Sequence, residues 1–184
     1  MESASVFGEM LVFRHILRRT AAPGERLALL CSKIEDTFAT VFRQVSMNRF
    51  ENTVHTARRT RGELAPEFIS SAWHETQTAM FGGSIRLLDH YRIWWSYIPH
   101  FVHSPGYVYA YAFGELLVLA LYEQYLREGP TFVPKYLQFL ESGGKARPDE
   151  LLRPLGMDLS DPAFWNRGIG IIEDLLREAE GETL

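Results

Sequence analysis

Residues 25–59 read ERLALLCSKIEDTFATVFRQVSMNRFENTVHTARR. Leu27, Leu30, Ile34, Phe38, Val41, Phe42, Val45 and Phe50 recur there at spacings of three and four. A helix turns once in about 3.6 residues, so side chains at these spacings share a face, and the stretch predicts a long amphipathic helix. The same texture extends both ways. Residues 3–19 predict a helix with Arg14, Arg18 and Arg19 gathered near its C-terminal end, where cations complement the helix dipole. It stops before TAAPGE. Downstream, GELAPEFISSAWHETQTAMFGG predicts a helix opened by Pro66, which loses no hydrogen bond in a first turn, and closed by Gly82-Gly83.

From residue 87 the texture changes. LLDHYRIWWSYIPHFVHSPGYVYAYAFGELL is dense in aromatic residues and histidine, and Pro99 and Pro105 interrupt it. The expectation is a loop through about Pro105, then a helix over 106–127. Short helices follow at FVPKYLQFLESGG and RPDELLRPLG. Asp161-Pro162 opens a last helix, with Asp161 as N-cap and Pro162 at the first position. No stretch alternates as a strand would. The fold class is all-α and multi-helical, with no internal repeat and no low-complexity linker.

At 184 residues, with 46% hydrophobic and 23% charged side chains, the chain is one domain or a large piece of one. A net charge of −4 argues against nucleic acid and anionic membrane surfaces, which need a clustered basic excess. The run LLVLALY, flanked by Glu115 and Glu123, is too short to span a bilayer. The start carries no basic segment followed by an apolar one, so no signal peptide is read there. Cys31 is the single cysteine and has no internal partner; in a helical run it reads as a small buried hydrophobe, and a reducing, cytoplasmic setting is the default.

Three groups of residues bear on chemistry. His74-Glu75 begins like a zincin signature, but the fourth position after His74 is Thr78, so one imidazole stands where two are needed. His74 reads as an ordinary polar helix residue. In PHFVHSPGYVYAYAFGE, His100 and His103 precede a predicted helix on which Tyr107 and Tyr111 share a face while Tyr109 points elsewhere. Imidazoles and phenols on one wall donate hydrogen bonds to a developing oxyanion, although tyrosines also fill helical cores. The third group is in the opening MESASVFGEMLVF. Glu2 and Glu9 lie two turns apart on a stripe with Val6 and Phe13. Glu2 reads as a metal ligand, an orienting group or a solvated acid at the helix start; Glu9, on the apolar stripe, needs a partner.

Taken together, ESASVFGEMLVF, LALLCSKIEDTFATVFRQVSMNRFE, WWSYIPHFVHSPGYVYAYAFGELLVLALY and LLRPLGMDLSDPAFW resemble, in that order, the C-terminal part of the catalytic domain of the oligoendopeptidase F-type zinc metallopeptidases of family M3. The resemblance runs through essentially the whole chain. It implies residues 1–184 of a zincin-like, all-α catalytic domain that hydrolyses short peptides with zinc. In that family His-Glu-x-x-His supplies two zinc ligands and the water-activating glutamate, and a later helix supplies a third ligand in a pattern like ESASVFGE. The resemblance therefore assigns Glu2 as the metal ligand, Glu9 as the acid that orients the ligand set, His103 with Tyr107 and Tyr111 as catalytic residues, and His100 as a substrate contact. His-Glu-x-x-His is absent from all 184 residues. A chain cut from a longer polypeptide at its third ligand is expected neither to retain zinc nor to cleave peptides alone. The competing expectation is a non-catalytic helical interaction module, or a half-enzyme that needs a complementary chain or self-associates through an uncovered channel wall.

Overall fold

A computed structural model describes the backbone of residues 2–183 and the side chains of residues 4–182. The described residues form helices joined by turns, with no strand among them. In chain order the helices are α1 (Glu2–Arg19), α2 (Pro23–Thr40), α3 (Phe42–Arg61), α4 (Pro66–Phe81), α5 (His100–His103), α6 (Tyr109–Glu128), α7 (Phe132–Ser142), α8 (Pro148–Leu152) and α9 (Pro162–Thr183). Short 3-10 segments cover Asp89–Tyr97, Gly129–Thr131 and Arg153–Leu155.

Local chemistry explains most of the boundaries. Pro66 starts α4 and Gly82, at φ +56°, ends it, with its N–H bonded to the Thr78 carbonyl. The Asp161 carboxylate accepts from the Ala163 N–H at 2.9 Å, an N-cap that satisfies one of the first orphan amides of α9.

Two predicted boundaries move. The helix expected over residues 25–59 is interrupted at Val41, whose φ of −97° and ψ of −69° separate α2 from α3. Thr37, Phe38, Thr40, Val41 and Phe42 crowd this turn with β-branched and aromatic side chains, which lose rotamer freedom in a helix. The segment expected as a loop before Pro105 is instead the 3-10 segment and α5, and the following helix begins at Tyr109, not at residue 106.

The chain divides into two compact units. One comprises Met1–Thr37 with Gly114–Leu184, the other Phe38–Phe113. In the first, Leu17, Leu30, Leu175 and Ala179 form a buried cluster drawn from α1, α2 and α9. Phe7 stacks on Tyr136 at 4.2 Å and meets Tyr122 edge-on at 5.8 Å. Arg14 pairs with Glu178, and Arg26 donates to the Leu17 carbonyl at 2.6 Å, satisfying an orphan acceptor at the end of α1. Gly168 of α9 lies against the backbone of Leu116 in α6; a Cβ there would stand 2.6 Å from the Leu116 carbonyl oxygen.

The second unit is built on Met47, Phe50, Ala72, Trp73, Ile98 and Val108, all buried. Its aromatic core also carries a satisfied polar thread. Trp73 donates from its indole to the Tyr91 carbonyl at 3.0 Å, Gln77 donates to Ser46 Oγ at 2.8 Å, and Ser46 donates to the Thr76 carbonyl at 3.1 Å. These bonds tie the 3-10 segment, α3 and α4 into one support for the residues that follow.

Candidate substrate-binding wall

The second unit presents the histidine and tyrosine residues through α5, a turn and the start of α6. Ser104 returns its N–H to the His100 carbonyl at 3.0 Å and so closes α5. Gly106 then adopts φ +76°, a left-handed conformation that a side chain would resist. Tyr107 donates its N–H to the Ser104 carbonyl at 3.2 Å and accepts from the Ala110 N–H at 2.9 Å. Tyr107 therefore sits outside α6, in the turn that leads into it.

This turn does what a longer helix was expected to do. The Tyr107 and Tyr111 rings meet edge to face, with centroids 5.5 Å apart. His100 Nε2 lies 2.9 Å from the Tyr111 hydroxyl, and the two rings are also edge to face at 5.6 Å. His100 and Tyr111 are half-buried, whereas Tyr107 is 47% exposed, so the cluster has a fixed base and an open lip. Tyr109 is exposed and stands apart from this group. His103, at the end of α5, is exposed; among the described residues it makes no hydrogen bond or ring contact with either tyrosine.

The wall can donate hydrogen bonds in a controlled direction. When His100 Nε2 carries a proton it donates to the Tyr111 oxygen, and the phenolic hydrogen is free to point outward. When Nε2 is bare, the phenol donates inward and its oxygen can only accept from outside. The tautomer of His100 thus sets which partner Tyr111 can serve.

The acids of α1 belong to the first unit. Glu2 begins that helix, but its side chain lies outside the described residues. Glu9 is not buried on an apolar stripe: its side chain is 56% exposed and pairs with Lys33 at 2.6 Å, and the face of α1 that is buried carries Phe7, Met10 and Leu17. Lys33, 7% exposed, lies near Glu115 of α6, which is also buried. Burial pushes the Glu115 carboxyl above its ordinary range; Lys33 opposes the rise, and Glu9 and Asp36 add to it. Cys31 is likewise exposed, not buried, because the buried face of α2 runs through Leu30, Lys33 and Thr37. Among the described residues His74 hydrogen-bonds within its own helix, to Thr78, as an ordinary polar residue does.

Among the described residues no three His, Cys, Asp or Glu side chains are placed to hold a metal ion. The described residues do not by themselves fit a zinc centre, which takes three protein ligands in hydrolases. Among the described residues, the buried Lys33 and Glu51 are charged residues that escaped the reading of the sequence. Each is a charged residue set among apolar neighbours at helical spacing, the signal that had singled out Glu9.

Comparison with known proteins fits this architecture. Residues 1–171 match the model of peptidase family M3. The chain is 31% identical over 179 residues to oligopeptidase PepF of Bacillus subtilis, which covers 97% of this chain and 27% of that protein. It is 27% identical to the plasmid-encoded oligoendopeptidase F of Lactococcus lactis subsp. cremoris, across 97% of this chain and 30% of the relative. The crystal structure of oligoendopeptidase-F from Enterococcus faecium superposes with a TM-score of 0.89 at 26% identity, covering 98% of this chain and 34% of that one. The chain thus spans about a third or less of the length of these proteins. Among the described residues no helix is long and apolar enough to cross a membrane. With nearly its whole length matched in order and in fold, the chain belongs to peptidase family M3.

Proposed function

We propose that this chain is the C-terminal part of the catalytic domain of a zinc-dependent oligoendopeptidase, and that His100, Tyr107 and Tyr111 form the wall that binds a short peptide. The observation that carries this reading is the His100–Tyr111 hydrogen bond at 2.9 Å with the Tyr107 ring packed against it. A half-exposed phenol beside a half-buried one on a rigid aromatic base is suited to receive a peptide carbonyl. As charge develops on that oxygen, Tyr107 or Tyr111 donates a hydrogen bond to it, and His100 holds Tyr111 in place. His103, exposed on the same segment, supplies a further contact to the extended peptide. Zinc, when bound in the whole enzyme, supplies Lewis-acid chemistry and a water of lowered pKa. Glu2 would be this chain's ligand, and the other two would come from a His-Glu-x-x-His segment that these 184 residues do not contain.

The test has two parts. Calorimetric titration of the chain alone is expected to show zinc binding weaker than micromolar, with no turnover of a quenched fluorescent peptide; tight binding or turnover would contradict the split site. In a whole oligoendopeptidase carrying this segment, Tyr107→Phe with Tyr111→Phe is expected to lower kcat/KM by at least ~100-fold, the usual scale for an oxyanion donor. An unchanged kcat/KM removes the catalytic reading.

A second reading draws on a different feature. Ile93, Trp94, Tyr97 and Val102 are 61%, 41%, 55% and 71% exposed, an apolar surface of the sort that mediates association. On this reading the chain is a helical interaction module or half-enzyme. A clean monomer in size-exclusion chromatography across the micromolar range would count against self-association.

A further inference from the structure

Glu51 is a carboxyl group in an apolar place. It lies on α3 between Phe50 and Val54, is 3% exposed, and borders a cleft of about 140 Å³ whose walls include Trp95 and Phe101. One carboxylate oxygen accepts the Gly106 N–H at 2.8 Å. The other is buried without a hydrogen-bond partner among the described residues. No salt bridge reaches Glu51 among the described residues, so its buried carboxyl leans on a single backbone amide. A buried carboxyl in that position holds its one donor firmly, because letting go leaves both oxygens unsatisfied in apolar surroundings.

The amide it holds is the one that matters for the wall. Gly106 lies between His103 and Tyr107, and its left-handed backbone turns the chain from α5 toward α6. The Glu51 bond spans 55 residues and is fixed to the Phe50–Trp73 core, whose rings meet at 5.4 Å. The other backbone bonds of this segment, Ser104 to His100 and Tyr107 to Ser104, are local and do not fix it to α3.

We infer that Glu51 is a positioning residue: by gripping the Gly106 amide it sets where Tyr107 stands against the His100–Tyr111 pair. What the positioned tyrosine then does rests on the peptide-binding role proposed above; the grip itself does not. Reach is what the grip requires. Glu51→Gln keeps an acceptor oxygen at the same reach. Glu51→Asp keeps the carboxyl group and withdraws its oxygens by one methylene.

Amide exchange of the isotope-labelled chain, followed residue by residue by NMR, separates these cases. In the wild type the Gly106 amide is expected to be protected. In Glu51→Asp it should exchange about 10–100-fold faster, the loss that follows from leaving a buried hydrogen-bonding group unmet. The proton contacts between the Tyr107 and Tyr111 rings should disappear, while the His100–Tyr111 contact and the amides of Met47 and Phe50 stay as they are. In Glu51→Gln, Gly106 should remain within about tenfold of the wild type, since the amide oxygen still reaches its N–H, and the Tyr107–Tyr111 contact should persist. The inference is overturned if Glu51→Asp leaves Gly106 as protected as before, or if Glu51→Gln frees it as fully as Glu51→Asp does. Both readouts need neither metal nor peptide. A failed peptidase reading would therefore leave them standing, and a failed grip would leave the peptidase reading to its own test.

Discussion

His100 Nε2 and the Tyr111 hydroxyl lie 2.9 Å apart across eleven residues of chain, one on α5 and the other in the first turns of α6. The bond is half-buried, so it joins two elements that local sequence alone would leave free to move. Tyr111→Phe removes it and leaves the imidazole without its partner. The expected cost is about 1 kcal/mol in unfolding free energy, read from urea denaturation. Tyr107→Phe keeps the ring contact at an exposed site and should stay within about 0.5 kcal/mol of the wild type. Equal losses in the two variants would mean that the hydrogen bond contributes nothing.

Gly168 and Gly170 differ by two positions on α9 and by their surroundings. A methyl group at Gly168 meets the Leu116 carbonyl oxygen at 2.6 Å, while one at Gly170 has nothing within 4 Å. Gly168→Ala must push α9 off α6 and is expected to destabilise by about 1–3 kcal/mol, as overpacking does. Gly170→Ala should be neutral or stabilise by up to about 1 kcal/mol, because alanine is the better helix former. The same pair of denaturation curves decides both.

Glu115 gives the pH dependence a sign. Its carboxyl titrates above 4.5 in the folded protein, chiefly through burial. Below the unfolded value both states are protonated and the site costs nothing. As pH rises past that value the unfolded chain ionises first, so stability falls, and the loss is complete above the folded value. Glu115→Gln removes this penalty. Its urea midpoint should exceed the wild type's at about pH 7.5 and converge with it at about pH 4. A constant offset at both pH values would assign the effect to packing.

Cys31 is exposed on α2. A thiol reagent such as dithionitrobenzoate should titrate it in the native protein as fast as in denaturant, within the modest factor that a helical surface imposes. Reaction only after unfolding would put it back in the interior.

How much of this was written in the sequence differs from feature to feature. The helices were legible because they are local: spacings of three and four, Pro66 at a start, Gly82 at a stop and Asp161 as a cap act within a turn of the chain. The adjacency of Tyr107 and Tyr111 was also foreseen, though for a partly mistaken reason, since a glycine turn brings the rings together where a helix had been expected. The family was legible from the order of several long segments.

The tertiary structure decided the rest. Spacing along one helix says which residues share a face, not what lies across from that face. It could not show that Glu9 turns outward to Lys33, that Gly168 lies against the Leu116 carbonyl of α6, or that Glu51 reaches the Gly106 amide 55 residues away. Those pairings come from helices meeting side by side, and the chain between two partners carries no record of the distance that folding finally sets.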